Sequence, residues 1–229
     1  MLESISPHVF CWSEIHGEAR NVPYPWNSYL IRVPDSDVVA LVDPLPMDED
    51  TTEAVERLGL PTHIILTCEF HLRDSDALRR RWGCEIWVNE VESAKYDTAV
   101  DGSFHDGQRL WDFIDLIHVP DVYFDETALL VREGERVLII GEMLSGGRRD
   151  QGIPDGKLGI MGPEYVADLA RARRSLHRLL VDSYEKACFG HGSPIWEGAR
   201  ETMQRYIEDD EAWEALSESK RNTPPPADF

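Results

Sequence analysis

Val38-Val39-Ala40-Leu41-Val42 is an unbroken apolar run that stops at Asp43-Pro44. A strand with one face in water alternates apolar and polar residues; a strand with no polar position is covered on both faces. His63-Ile64-Ile65-Leu66-Thr67 repeats the pattern and runs into Cys68-Glu69-Phe70-His71-Leu72-Arg73-Asp74-Ser75. Val137-Leu138-Ile139-Ile140 does so again before Gly141-Glu142. A chain with several such strands has to build layers, with helices or a second sheet over each face.

Helix signals fall between these runs. Asp50 reads as an N-cap with Glu53 three residues on, and that helix stops at Gly59. A second helix spans about Asp74 to Trp82, with Asp74 placed as its N-cap and Gly83 closing it. Further strands are expected at Asn27 to Val33, Glu85 to Val88, Leu110 to Val119, Thr127 to Val131 and Lys186 to Phe189. A helix from about Pro163 sets Leu169, Ala172, Leu176, Leu179 and Leu180 on one face. The last helix runs from about Ile195 to Leu216. Ser145 to Gly162, rich in glycine and charge, reads as a long mobile loop. The expectation is one α/β domain over residues 1–216 and a disordered tail over 217–229, which holds Pro224-Pro225-Pro226.

Composition narrows the partners. A formal net charge of −20 sets the surface against phosphate backbones and anionic lipid, so neither nucleic acid nor membrane is an expected partner. An acidic, lysine-poor chain suits either a salty cytoplasm or GC-biased codon usage. No stretch approaches the roughly 18 apolar residues of a membrane helix. The N-terminus has no basic region, and Cys11, Cys68, Cys84 and Cys188 show no CxxC spacing. Reduced thiols in a cytoplasmic protein are expected. No Gly-x-Ser-x-Gly elbow or phosphate-binding Gly-Lys-Ser/Thr element occurs. Trp12, Trp26 and Trp196 are candidates for an exposed interface.

The strand ends at Asp43-Pro44, Thr67 to Ser75, Val119 to Thr127 and Gly141-Glu142, with the loop Gly190-His191-Gly192, form an ordered series. In that order and spacing, the chain resembles the metallo-β-lactamase fold superfamily from about Asn27 to His191 and on into the last helix. Asn27 to Ile31 with Ala40 to Pro44 resembles the family's opening hairpin, and Thr62 to Thr67 the strand that delivers its metal motif. His105-Asp106-Gly107-Gln108 resembles a turn in its second half, and Val119-Pro120 through Leu130 the segment carrying later ligands. The resemblance implies an αββα sandwich, two mixed β-sheets face to face with helices outside. It also implies a metal site along one edge, usually two zinc ions that activate water for hydrolysis of a small-molecule substrate.

On that pattern the motif Thr-His-x-His-x-Asp-His puts its histidines on Cys68, Phe70 and Arg73 and its aspartate on Leu72. A later histidine falls on Val122, a substrate-side histidine on Glu126 and the bridging aspartate on Glu142. Only His191 is unchanged. Phe70 and Val122 cannot bind metal, so a binuclear zinc site of the usual kind is not expected. A rebuilt site is the alternative. Cys68, His71 and Asp74 are three residues apart, so a helical turn would align them, and Glu142 and His191 complete five candidate ligands. They suit one divalent ion, zinc or iron, or no metal at all, with Arg73 and Glu126 facing the pocket. Three readings of function stand at this point: a hydrolase with a mononuclear centre, a catalytically inactive binding or scaffold protein, and a thiol enzyme using Cys68 with His71 or His191 as base.

Overall fold

The structure is a computed structural model, and it describes residues 1–16, 23–122, 125–160, 162, 165–181 and 183–222. Seven strands form the first sheet in chain order: β1 (Glu3–Ser4), β2 (Val9–His16), β3 (Tyr24–Arg32), β4 (Val39–Val42), β5 (His63–Ile65), β6 (Glu85–Asn89) and β7 (Gly102–Phe104). β1 to β4 pair antiparallel and β4 to β7 pair parallel. Parallel neighbours need crossovers, supplied by α1 (Glu49–Leu58) between β4 and β5 and α2 (Ser75–Trp82) between β5 and β6.

The second sheet begins with β8 (Arg109–Leu110), β9 (Ile114–Val119), β10 (Glu126–Val131) and β11 (Val137–Ile140). A two-stranded ribbon follows, β12 (Leu144–Ser145) with β13 (Gly159–Ile160), and then α3 (Leu169–Leu176). β14 (Lys186–Phe189) returns parallel to β11, giving the order β14-β11-β10-β9-β8. α4 (Ala199–Glu208) and α5 (Asp210–Asn222) end the described chain.

The apolar runs explain the layering. Along β3, β4 and β5, Leu30, Leu41 and Ile64 point outward and pack with Val55 of α1 and Leu78 of α2. Their neighbours Ile31, Ala40, Val42 and Ile65 point inward and meet Leu116, Leu129, Val131 and Ile139 of the second sheet. That sheet's other face, with Leu130, Leu138 and Ile140, packs under Leu169, Ala172 and Leu176 of α3 and Met203 and Ile207 of α4. Each fully buried Leu or Ile contributes roughly 1.5–3 kcal/mol, so strands covered twice hold both interfaces. This is the αββα sandwich implied by the sequence.

Several local expectations change. α1 is capped by Asp48, whose Oδ1 accepts from the Thr51 amide at 2.8 Å, two residues before the expected Asp50. Asp74 occupies the N-cap position of α2 without a side-chain cap bond. The expected final helix is two helices, parted at Asp209 and reaching Asn222 instead of Leu216; residues 223–229 of the expected tail lie outside the described residues. Pro163, the expected first residue of another helix, also lies outside them, and α3 starts at Leu169. The 145–162 loop is pinned: Leu144 pairs with Ile160, and buried Arg148 bonds Asp150. Trp12 is buried, its Nε1 donating to the Leu45 carbonyl at 3.4 Å, whereas Trp196 is 46% exposed.

Candidate metal centre

Four strand ends from two sheets meet at one edge. Asp43 follows β4, His71 lies on the short 3-10 turn Glu69–His71 after β5, Glu142 follows β11 and His191 follows β14. The sheets are stitched together beneath them. Asn27 donates through its amide side chain to the Phe189 and Gly192 carbonyls, both at 2.8 Å, and the Tyr29 hydroxyl donates to Phe189 at 2.6 Å. Gly190 is required by close approach: a Cβ there would sit 2.5 Å from the Gly141 carbonyl oxygen and 3.0 Å from His71 Cε1.

At the centre, Glu142 Oε2 lies 2.8 Å from His71 Nε2 and 2.6 Å from His191 Nε2. One ligand atom from each of these three residues lies within 4.8 Å of the others, the one such cluster among the described residues. His71 Nδ1 faces Asp43 Oδ2 at 2.7 Å. Asp43 is in turn fixed by Thr67, whose amide donates to Oδ1 at 2.8 Å and whose hydroxyl donates to Oδ2 at 2.6 Å. Arg73 lies beside the cluster, half-buried. Its Nη1 donates to the Asn27 and Asp43 carbonyls at 2.7 and 2.9 Å, and its Nη2 is 3.1 Å from His71 Nε2. Trp26 carries the guanidinium against its ring, 5.5 Å from the centroid, and turns an edge to His191. Asp43 and Arg73 have φ of 49° and 42°, left-handed values that cost of order 1–3 kcal/mol each and collect at functional sites.

The electrostatics favour charged carboxylates. Burial alone would raise the Glu142 carboxyl, but hydrogen bonds from His191 and His71 hold it well below the usual carboxylate range. Asp43 is held down against burial by His71, Arg73 and Thr67. Burial opposes a charged His71, yet Cys68 and Asp43 raise its pKa well above the ordinary value. Asp43 is the charged partner near neutral pH, because burial pushes the Cys68 thiol up to about 12. For His191, burial wins and its pKa falls.

The contacts at His71 Nε2 fit a cation. If Nε2 carries a proton for Glu142, the Arg73 donor faces another donor; if it carries a lone pair, Glu142 faces that lone pair. A positive ion held among both Nε2 atoms and Oε2 would relieve the contact between the Glu142 oxygen and a His71 lone pair by making all three acceptors, with the Arg73 guanidinium left at its flank. His71 then keeps its proton on Nδ1 for Asp43, the arrangement in which a carboxylate orients a ligating histidine. Two histidines and one carboxylate suit zinc with an open position, or iron(II).

The five candidate ligands therefore separate. His71, Glu142 and His191 come together. Cys68, the N-cap of the 3-10 turn, and Asp74 are outside that cluster; the turn ends at His71 and the left-handed Arg73 redirects the chain before Asp74. Arg73, expected to face the pocket, meets His71 and the Asn27 and Asp43 main-chain carbonyls beside the cluster. Glu126, expected in the pocket, is fully buried and bonds the main chain at Gly141, Glu142 and Met143. Phe70 points to solvent at 54% exposure, and Val122 lies in the second sheet's core. The Asp43 and Thr67 side chains have roles that sequence reading passes over. The one signal was Asp43-Pro44 ending a buried strand. His16 stacks on Trp26 with ring centroids 3.8 Å apart.

The fold is thus an αββα sandwich with a two-histidine, one-glutamate cluster at the edge where both sheets end. A model of the metallo-beta-lactamase superfamily matches residues 1–209, and the chain belongs to that superfamily. Among solved structures it is similar to the DIM-1 metallo-beta-lactamase, with 13% identity, a TM-score of 0.66 and 96% of each chain covered. A metallo beta lactamase from Hirschia baltica is similar at 16% identity and TM-score 0.67, covering 90% of this chain and 96% of that one. FIM-1 from Pseudomonas aeruginosa in its mono-zinc form is similar at 12% identity and TM-score 0.63, with 91% and 96% covered. At these identities the likeness shows the fold. Comparison with curated proteins gives no significant match. Among the described residues, no helix is long and apolar enough to cross a membrane.

Proposed function

We propose that this protein is a hydrolase-like enzyme with a mononuclear metal centre held by His71, Glu142 and His191, acting on a small molecule. The observation that carries the reading is the single Glu142 oxygen set between two histidine Nε2 atoms, with Asp43 behind one of them. A divalent ion bound by such a set lowers the pKa of water and polarises a carbonyl or phosphoryl group. The chain's own residues do the rest. Asp43 fixes the His71 tautomer so that Nε2 faces the cluster, and Thr67 fixes Asp43. Arg73, half-buried against Trp26 with Nη1 on the Asn27 and Asp43 carbonyls, holds a fixed positive charge beside the cluster that suits an anionic group of the substrate. Trp26, stacked on His16, lies beside Arg73 and His191 on one side of the cluster.

A catalytically silent binding protein is the second reading, favoured by the guanidinium that supplies positive charge without any ion. The thiol reading loses support, because Cys68 is wholly buried and its thiolate is strongly disfavoured.

The full chain loaded with zinc or iron(II) is assayed against chromogenic lactams, lactones, thioesters and phosphodiesters. Turnover of at least one class, reduced by about 100-fold or more in Glu142→Gln and His191→Ala, is expected. A metal-loaded chain that turns over none of them contradicts the hydrolase reading and leaves the binding protein.

A further inference from the structure

Glu126 is the first residue of β10 and has no exposed surface. Its carboxylate accepts three consecutive main-chain amides: Gly141 on Oε1 at 2.5 Å, and Glu142 and Met143 on Oε2 at 2.8 and 2.7 Å. Buried carboxylates are costly unless their oxygens are satisfied, and these amides satisfy both. The same amides have no strand partner, because β11 ends at Ile140. The segment they belong to carries Glu142.

The packing leaves that turn one conformation. A Cβ on residue 141 would collide with Thr67 Oγ1 and sit 3.0 Å from Glu126 Oε1, so glycine lets the turn press onto the strand ends. Thr67 also joins the two sheets here, its carbonyl accepting from the Thr127 amide at 2.9 Å. Glu126 is thus linked through main chain to Glu142, and next to Thr67, which orients Asp43 and through it His71.

We propose that Glu126 is a positioning residue whose carboxylate holds the Gly141-Glu142-Met143 turn so that Glu142 presents Oε2 to His71 and His191. The metal-affinity consequence rests on the mononuclear reading above; the backbone consequence does not. A glutamine has one acceptor oxygen, so Glu126→Gln turns an amide NH2 donor toward at least one of the three amides while keeping the side chain's shape.

The test uses the full-length protein and its Glu126→Gln variant, with two readouts. The first is hydrogen exchange at the Gly141, Glu142 and Met143 amides, expected to speed up by about 10-fold or more in the variant while β9 amides keep wild-type rates. The second is cobalt(II) titration followed by visible absorption, with affinity expected to weaken about 10–100-fold and the ligand-field spectrum to change. A glutamate that only stabilised the fold would lower the melting temperature and leave cobalt affinity and spectrum as in the wild type; that outcome overturns the proposal. Unchanged exchange at the three amides overturns it as well. If the wild-type chain binds no cobalt, the mononuclear reading falls, and exchange at residues 141–143 decides the role of Glu126 alone. Should Glu126→Gln fail to fold, Glu126→Asp, one methylene shorter with its charge kept, is measured in the same two ways, with a smaller shift in both expected and wild-type values in both overturning the proposal.

Discussion

Asp43 Oδ2 sits 2.7 Å from His71 Nδ1, and both side chains are almost wholly buried. Asp43 ends a strand of the first sheet and His71 lies on the turn after the neighbouring strand, so the parallel pairing of β4 and β5 sets their separation. The contact fixes which nitrogen of His71 faces Glu142. It also explains why a histidine displaced from the family's usual ligand positions can stand at the cluster.

Asp43→Asn tests that relation. Asparagine has one oxygen for the Thr67 amide, the Thr67 hydroxyl and His71 Nδ1, and no charge. Zinc affinity measured by competition with a chromogenic chelator is expected to weaken about 10–100-fold, with about 1–3 kcal/mol lost from stability in urea unfolding. Wild-type affinity in this variant would refute the role given to Asp43.

Glu142 gives the metal-free protein a defined pH dependence. Its carboxyl is held well below the ordinary value by His191 and His71. A depressed carboxyl contributes stability that is present above its unfolded pKa, about 4.3, and lost as pH falls through the folded value. Thermal unfolding with chelator present should therefore find wild type more stable than Glu142→Gln at pH 6, by about 2 kcal/mol. The gap should shrink steadily below about pH 4. A gap that persists undiminished to pH 2 would contradict the assignment.

Cys68 separates the metal reading from the thiol reading. Its sulfur is buried beside His71 but outside the ligand cluster. Cys68→Ala is expected to cost about 1 kcal/mol of stability and to leave the metal bound and any turnover present. Loss of activity with metal still bound would restore the thiol mechanism.

Much of the fold was legible because β4, β5 and β11 carry apolar runs that only a doubly covered strand tolerates. The region around α2 was legible for a similar reason: Gly83 ends it where expected. What failed depended on backbone conformation or on distant partners. The spacing of Cys68, His71 and Asp74 promised a shared helical face, but the left-handed Arg73 breaks the turn. Glu126 read as a pocket group because its amide partners at residues 141–143 are adjacent only through the pairing of β10 with β11. The 145–162 loop looked unstructured because its ties, β12 to β13 and Arg148 to Asp150, have no local periodicity. His191 lies beside His71 and Glu142, in a loop shaped by the close approach of Gly190 to Gly141.

Metal content tests the central claim most directly. The full chain is dialysed with zinc or iron(II), washed free of unbound metal and measured by elemental analysis beside His71→Ala and His191→Ala. The account predicts about one ion per chain in the wild type and loss of that ion in both variants. No retained ion, two ions per chain, or wild-type occupancy in either variant would contradict it.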